Sequence, residues 1–201
     1  YSALSNLKRV VLECGGKSPS VILSDAKDLD SIAENVVNAA LWNMGQNCTA
    51  NSRIIIHKDL KTALTQKIIE QLDEWQTGDP LDPQHMLGSI INKEQYEKIL
   101  RYIEIGKQEG AKLIYGGNAL SINNGLFIEP AIFDNVTPEM TIAIEEIFGP
   151  VFGLIEAASD EEAIAIANDS CYGLQASLYT SDLKKAHLYA QQLQAGTVSV
   201  N

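Results

Sequence analysis

Apolar and polar positions follow two rhythms along the chain. Short apolar runs at Val10-Val11-Leu12, Ser20-Val21-Ile22-Leu23 and Arg53-Ile54-Ile55-Ile56-His57 have the length and residue types of buried strands. After the second run, Asp28 precedes Leu29, Ile32, Ala33, Val36, Val37, Ala40 and Leu41. Those steps of three and four predict a helix over 28–44 with Asp28 as its cap. A second helix is expected over 59–75, with Leu60, Leu64, Ile68, Ile69 and Leu72 facing inward. The breaker cluster Gly78-Asp79-Pro80-Leu81-Asp82-Pro83 reads as a loop. Asn92 then caps a helix to about Gln108, with the Gln95 side chain returning to the cap.

The remainder continues the alternation. Leu113-Ile114-Tyr115 is a strand closed by Gly116-Gly117, and 127–136 is extended, broken or placed at an edge by Pro130. Ser159-Asp160-Glu161-Glu162 is a capping box before a helix carrying Ala163, Ile164, Ile166 and Ala167. Gln175 to Tyr179 is a strand, Ser181 and Asp182 open a helix ending near Gly196, and Thr197-Val198-Ser199-Val200 is a last strand. Strands alternating with helices predict an α/β fold, a largely parallel open sheet with flanking helices. No repeat or linker divides residues 1–201, so one domain is expected. It starts and stops at strands, as a catalytic piece cut from a larger protein would.

Charge narrows the partners. A net charge of −11 argues against nucleic acid and against an anionic membrane surface. No apolar run approaches the roughly 20 residues of a membrane span, and Tyr1-Ser2-Ala3-Leu4 has no signal-peptide character. Cys14, Cys48 and Cys171 are odd in number and form no zinc spacing, which fits reduced thiols in a cytoplasmic protein. His57, His85 and His187 share no ligand spacing, so no metal is expected.

Three segments could carry chemistry. In Glu13-Cys14-Gly15-Gly16-Lys17-Ser18, the Gly-Lys-Ser run suggests a phosphate loop, but the glycine required earlier in that motif is Val11. The other reading is a carboxylate, Glu13, at a strand end on the sheet's carboxyl edge, with two glycines that let backbone approach a ligand. An isolated, solvated Glu is the plainer alternative. In Gly45-Gln46-Asn47-Cys48-Thr49-Ala50, a Cys sits in a polar turn after a helix. The helix's negative end disfavours thiolate, so activation must come from a base or a bound cation. Glu13 could be that base. In Glu145-Glu146-Ile147-Phe148-Gly149-Pro150, two acids beside an aromatic could hold sugar hydroxyls under a flat heterocycle, or be a solvated loop with a packed Phe.

Taken in order, these segments resemble the NAD(P)-dependent aldehyde dehydrogenase superfamily. Leu12 to Pro19 is similar to its glutamate motif, Gly45-Gln46-Asn47-Cys48 to its cysteine motif, and Glu145 to Val151 to its nicotinamide-ribose motif. Asn168-Asp169-Ser170-Cys171-Tyr172-Gly173-Leu174 and Ala195 to Asn201 also match, so the likeness covers nearly the whole chain. The resemblance implies the catalytic domain of that fold, with Cys48 as nucleophile toward a small aldehyde and Glu13 as the base that activates the hydrolytic water. It also implies that the Cys48 N–H is half of an oxyanion hole. Glu146 would hold the nicotinamide ribose and Phe148 would pack near the ring. Gln95 and Lys98 match cofactor-touching positions, and Gly15 gives the cofactor room. NAD is favoured over NADP, and the intact protein is expected to be a homodimer or homotetramer. Trp75 to Pro83 is similar to members acting on γ-glutamyl-aminobutyraldehyde and on other amino or betaine aldehydes. Cys14 stands where Leu is common, and Ile144 where a polar residue is common; neither removes a catalytic group.

Overall fold

The structure, a computed structural model, describes residues 2–201. The strands of its main sheet are β1 (Ser18–Ile22), β2 (Asn51–His57), β3 (Lys112–Gly116), β6 (Ala131–Asp134), β7 (Val151–Ala157), β8 (Gln175–Tyr179) and β9 (Thr197–Val200). β4 (Ala119–Leu120) and β5 (Phe127–Ile128) form a separate two-stranded ribbon. The main sheet has the order β3-β6-β7-β2-β1-β8-β9. Every neighbouring pair in it is parallel except β3 with β6 at one edge.

Side-chain alternation divides the core into two layers. Ile22, Ile54, Ile56 and Leu154 pack on Val36, Val37 and Leu41 of α1 (Leu29–Leu41) and on Leu64, Ile68 and Leu72 of α2 (Lys58–Leu72). Val21, Leu23, Ile55, Ile155 and Leu178 face the other way. They meet Ile99 and Ile103 of α3 (Lys93–Gln108), Ala163, Ile164 and Ala167 of α5 (Asp160–Asn168), and Tyr189 of α6 (Leu183–Gln192). A short helix, α4 (Thr141–Ile144), precedes β7. Central strands covered on both faces read as continuous apolar runs, which is why β2 is Ile54-Ile55-Ile56. No helix among the described residues is long and apolar enough to cross a membrane.

The capping residues act as their sequence predicts. Asp28 Oδ1 accepts from the Ser31 N–H, Ser159 Oγ from Glu162, and Asp182 Oδ1 from Lys184 and Lys185. Two expectations fail. Val10-Val11-Leu12 is no strand; Val10 is 59% exposed, Val11 87% and Leu12 75%, and no described strand pairs with them. Apolar composition without a hydrogen-bonding ladder does not hold extended chain in a sheet. The first helix also stops early, at Leu41, because Asn43, Met44 and Gly45 all take left-handed backbone angles, with φ of 52°, 56° and 65°.

Strand direction then fixes where the loops go. The loops that precede β1, β2 and β7 meet at the amino-terminal edge of the sheet, because those strands are parallel neighbours. The carboxyl edge, where the sequence pattern places Glu13, instead holds an ion-pair network: Lys185 Nζ lies 2.6 Å from Asp160 and 3.3 Å from Asp25.

Candidate active site

All three candidate segments lie in those amino-edge loops, and their backbones touch. The Gly16 N–H donates to Glu146 Oε1 at 3.0 Å. A Cβ built on Gly15 would stand 2.6 Å from Glu146 Oε2, and one on Gly16 would stand 2.3 Å from the Cys48 carbonyl oxygen. Gly45 does the same on the other side, its virtual Cβ falling 2.2 Å from the Gly149 carbonyl oxygen. No side chain fits at such separations, so the glycines are what let the three loops close on one another. Segments more than a hundred residues apart in sequence meet here around a single residue, Gly16.

The Cys48 turn is held by its own polar side chains. Asn43 Nδ2 donates to the Gln46 carbonyl at 2.9 Å, and Gln46 Oε1 accepts from the Ile91 N–H at 3.0 Å. Asn47 Oδ1 accepts from the Thr49 N–H and hydroxyl at 3.3 and 3.2 Å, and lies 3.8 Å from the half-buried Cys48 thiol. A cleft of about 430 Å³ opens beside the turn, lined among others by Trp42, Asn47 and Thr49. Glu13 is exposed in the loop before β1. His57 is the last residue of β2 and so sits at the opposite edge, with Nδ1 accepting from the Asp59 N–H. No imidazole of that strand reaches the thiol.

The loop after α4 is carried by α3. The Asn92 carboxamide accepts from the Gln95 N–H at 2.8 Å, as a cap should. The Gln95 side chain does not return to the cap, however. Its amide donates to the carbonyls of Ile147 and Phe148, both at 2.8 Å. Two carbonyl acceptors satisfy both amide protons, which a single cap contact cannot do. Lys98 Nζ donates to the Glu146 carbonyl at 3.1 Å. Gln95 and Lys98 thus touch the loop's backbone and keep Gln95 Oε1 and two lysine protons for other partners. Phe148 sits at φ 59°, a left-handed conformation uncommon for a bulky residue, and is 36% exposed.

Below the glycines lie two buried cations. Arg53 donates to three carbonyls: Nε to Lys17 at 2.9 Å, Nη1 to Ile166 at 3.0 Å and Nη2 to Ala167 at 2.8 Å. This fork ties the first loop to the negative, carboxyl end of α5. Lys17 is buried, and its ammonium has no hydrogen-bond partner among the described residues. Burial, and then the charge of Arg53, push the Lys17 amine down to about 7 from 10.5. Between those two values the unfolded chain binds more protons, so this group makes stability rise with pH there, and its cost is fully present below about pH 7. Lys17→Met is therefore expected to stabilise the fold by about 1–4 kcal/mol at about pH 6, and to flatten the rise toward about pH 10. Thermal melts of both proteins across that range check this. An unchanged or lower melting temperature for the Met variant at the acid end would contradict it.

Comparison with known proteins identifies the family. The aldehyde dehydrogenase family matches residues 1–201. Aminoacetaldehyde dehydrogenase of Pseudomonas aeruginosa is 46% identical over 201 residues, 100% of this chain and 40% of that protein. The human mitochondrial aldehyde dehydrogenase is 45% identical over 197 residues, covering 98% of this chain and 38% of that one. Among solved structures, a γ-glutamyl-γ-aminobutyraldehyde dehydrogenase from Burkholderia cenocepacia superposes with a TM-score of 0.92 at 43% identity, over 99% of this chain and 40% of that one. A P. syringae indole-3-acetaldehyde dehydrogenase, solved with NAD+, gives a TM-score of 0.93 at 43% identity with the same coverage. The chain spans about 40% of the length of these relatives. It shares their parallel sheet, and at this identity over its whole length it belongs to the aldehyde dehydrogenase family.

Proposed function

We propose that this chain is the thiol-bearing catalytic domain of an NAD-dependent enzyme that oxidises an aldehyde to a carboxylic acid. The observation that carries the reading is Gly16, which donates to Glu146 and lies against the Cys48 carbonyl. A nucleophile, a base-bearing loop and a carboxylate suited to sugar hydroxyls share that one point. The residues present fit a nicotinamide riboside: the space a Cβ would fill at Gly15 lies against the Glu146 carboxylate, and the exposed Phe148 stands two residues on. Gln95 Oε1 and the Lys98 ammonium add polar contacts beside it.

In this reading the Cys48 thiol loses its proton to solvent as Sγ bonds to the aldehyde carbon, and the Cys48 N–H donates to the oxygen as it gains charge. NAD held by Glu146 would supply the hydride acceptor for the Cys48 adduct. Cys48 is then an acyl thioester. Glu13, on its exposed loop, takes a proton from water as that water attacks the acyl carbon, and the acid leaves with the thiol restored. Glu13 favours hydrolysis over acyl transfer to phosphate or coenzyme A. His57, at the far edge of the sheet, is not placed to activate the Cys48 thiol.

Two of these relatives, the aminoacetaldehyde and γ-glutamyl-γ-aminobutyraldehyde dehydrogenases, and the Trp75–Pro83 segment support amino aldehydes as the substrate class. In the intact protein, the remaining length found in the relatives supplies the rest of the cofactor site and the contacts of a homodimer or homotetramer, and the compartment is the cytoplasm. Rapid acid quench of the intact enzyme with aminoacetaldehyde and NAD, followed by peptide mass spectrometry, tests the reading. An acyl group on the Cys48 peptide, formed together with NADH, is expected. NADH formation with acylation at another residue would overturn the role of Cys48, and no NADH with any amino aldehyde would overturn the substrate class.

A further inference from the structure

The loop that carries Glu146 is held by side chains from one face of α3. Gln95, Lys98 and Tyr102 stand at steps of three and four along that helix, so their side chains project in a row. Gln95 takes the carbonyls of Ile147 and Phe148, and Lys98 takes that of Glu146. Tyr102 completes the row by donating its phenol to Glu145 Oε2 at 2.5 Å. Four successive residues, Glu145 to Phe148, are thereby gripped in order by three side chains of a single helix. Lys98 Nζ also lies 5.7 Å from the centre of the Tyr102 ring, which packs the last two members of the row against each other.

We propose that Tyr102 is a positioning residue for cofactor binding: by anchoring Glu145 it fixes the backbone from which the Glu146 carboxylate reaches toward Gly15 and Gly16. The inference rests on the reading of Glu146 as the group that holds the nicotinamide ribose. Its physical basis is the shape of the loop. Phe148 at φ 59° and the glycine that follows it mark a backbone that bends sharply just beyond the carboxylate. Such a backbone keeps one conformation only if its surroundings impose it. Gln95 holds the carbonyls beyond the carboxylate and Lys98 that of Glu146 itself, whereas Tyr102 is the α3 side chain that grips the residue entering the loop. The phenol is held protonated, since burial and the bond to Glu145 push it up to about 12. It therefore stays a donor throughout the pH range in which such an enzyme works.

The test uses the intact enzyme and steady-state kinetics with varied NAD. Tyr102→Phe removes the hydroxyl and leaves the ring. It is expected to raise KM for NAD about 5-fold, the size of one ordinary hydrogen bond, with kcat at saturating NAD within about twofold of the parent. Glu145→Ala should do the same. The double variant should be no worse than either single one, because both remove one interaction. Glu145→Gln still accepts from the phenol and should fall between the parent and Glu145→Ala. A lower kcat with KM unchanged would mean that Tyr102 merely supports the fold, and would overturn the proposal. If Tyr102→Phe left KM unchanged while Glu146→Gln raised it, this inference would fail and the reading of the site would stand. If Glu146→Gln also left KM for NAD unchanged, the reading of the ribose carboxylate would itself be wrong.

Discussion

Replacing Cys48 by serine in the intact enzyme is expected to lower aldehyde oxidation at least about 10³-fold. Three features of the turn set that magnitude. A serine hydroxyl is a far weaker nucleophile than a thiolate unless a base takes its proton, and the polar atom beside Sγ is the Asn47 carboxamide oxygen at 3.8 Å, which accepts a hydrogen bond but removes no proton at neutral pH. The nearest histidine in sequence, His57, lies across the sheet. An oxygen ester at this position is also a poorer acyl donor to water than the Cys48 thioester, so the second half of the cycle slows as well. The fold should not notice the change, because the side chain is only half-buried and the turn is held by Asn43, Gln46 and Asn47 rather than by sulfur. NADH formation alongside a thermal melt separates these effects. A variant with unchanged melting temperature that kept a tenth or more of the parent's kcat would remove Cys48 from the role of nucleophile.

Glu13→Gln is expected to lower steady-state turnover by about 10²–10⁴-fold while leaving acylation intact. Gln keeps the size and one acceptor oxygen but takes no proton from water. The variant should release one equivalent of NADH per site in a burst and then stall with its acyl group on Cys48. Glu13 is exposed in a loop outside the sheet, so its replacement should leave the fold intact. Stopped-flow traces show the burst, and acid quench during the stall shows the acyl group. Turnover equal to the parent's would mean that water is activated by some other group. Loss of the burst itself would move Glu13 from deacylation to the attack on the aldehyde.

Much of this is legible in the residues, and the rest is not for identifiable reasons. Caps at Asp28, Asn92, Ser159 and Asp182 work locally, within three residues, so a local pattern finds them. The three chemical segments stand out because glycines and a polar Cys turn are unusual company for apolar strands. Gln95 is half legible: its backbone joins the cap, but its side chain serves a loop 52 residues away, and no spacing rule sees that. Reading Val10–Leu12 as the strand that Glu13 ends puts that acid at the wrong edge of the sheet. The true strand, β1, begins at Ser18, so Glu13 precedes it and lies at the opposite edge. β7 escapes the pattern although Val151, Phe152, Leu154 and Ile155 are strand formers; Gly153 interrupts them, and in the fold Val136 takes the space a side chain would need there. The burial of Lys17 has no signal at all, since lysine in a loop motif is ordinarily solvated.

The glycine contacts have a meaning for how this protein can change over generations. Where loops meet backbone to backbone at Gly16 and Gly45, and backbone to carboxylate at Gly15, no substitution is small, and a mutation in one loop cannot be repaired by a larger or smaller side chain in the next. That part of the surface is closed to gradual exploration. Trp42, Asn47 and Thr49 line the open cleft beside the Cys48 turn, and Trp42 is 60% exposed. Trp42 can change there without disturbing the junction, whereas Asn47 and Thr49 also hold the turn. A library built to vary this region would do best to hold the glycines, Asn47 and Thr49 constant and start from Trp42.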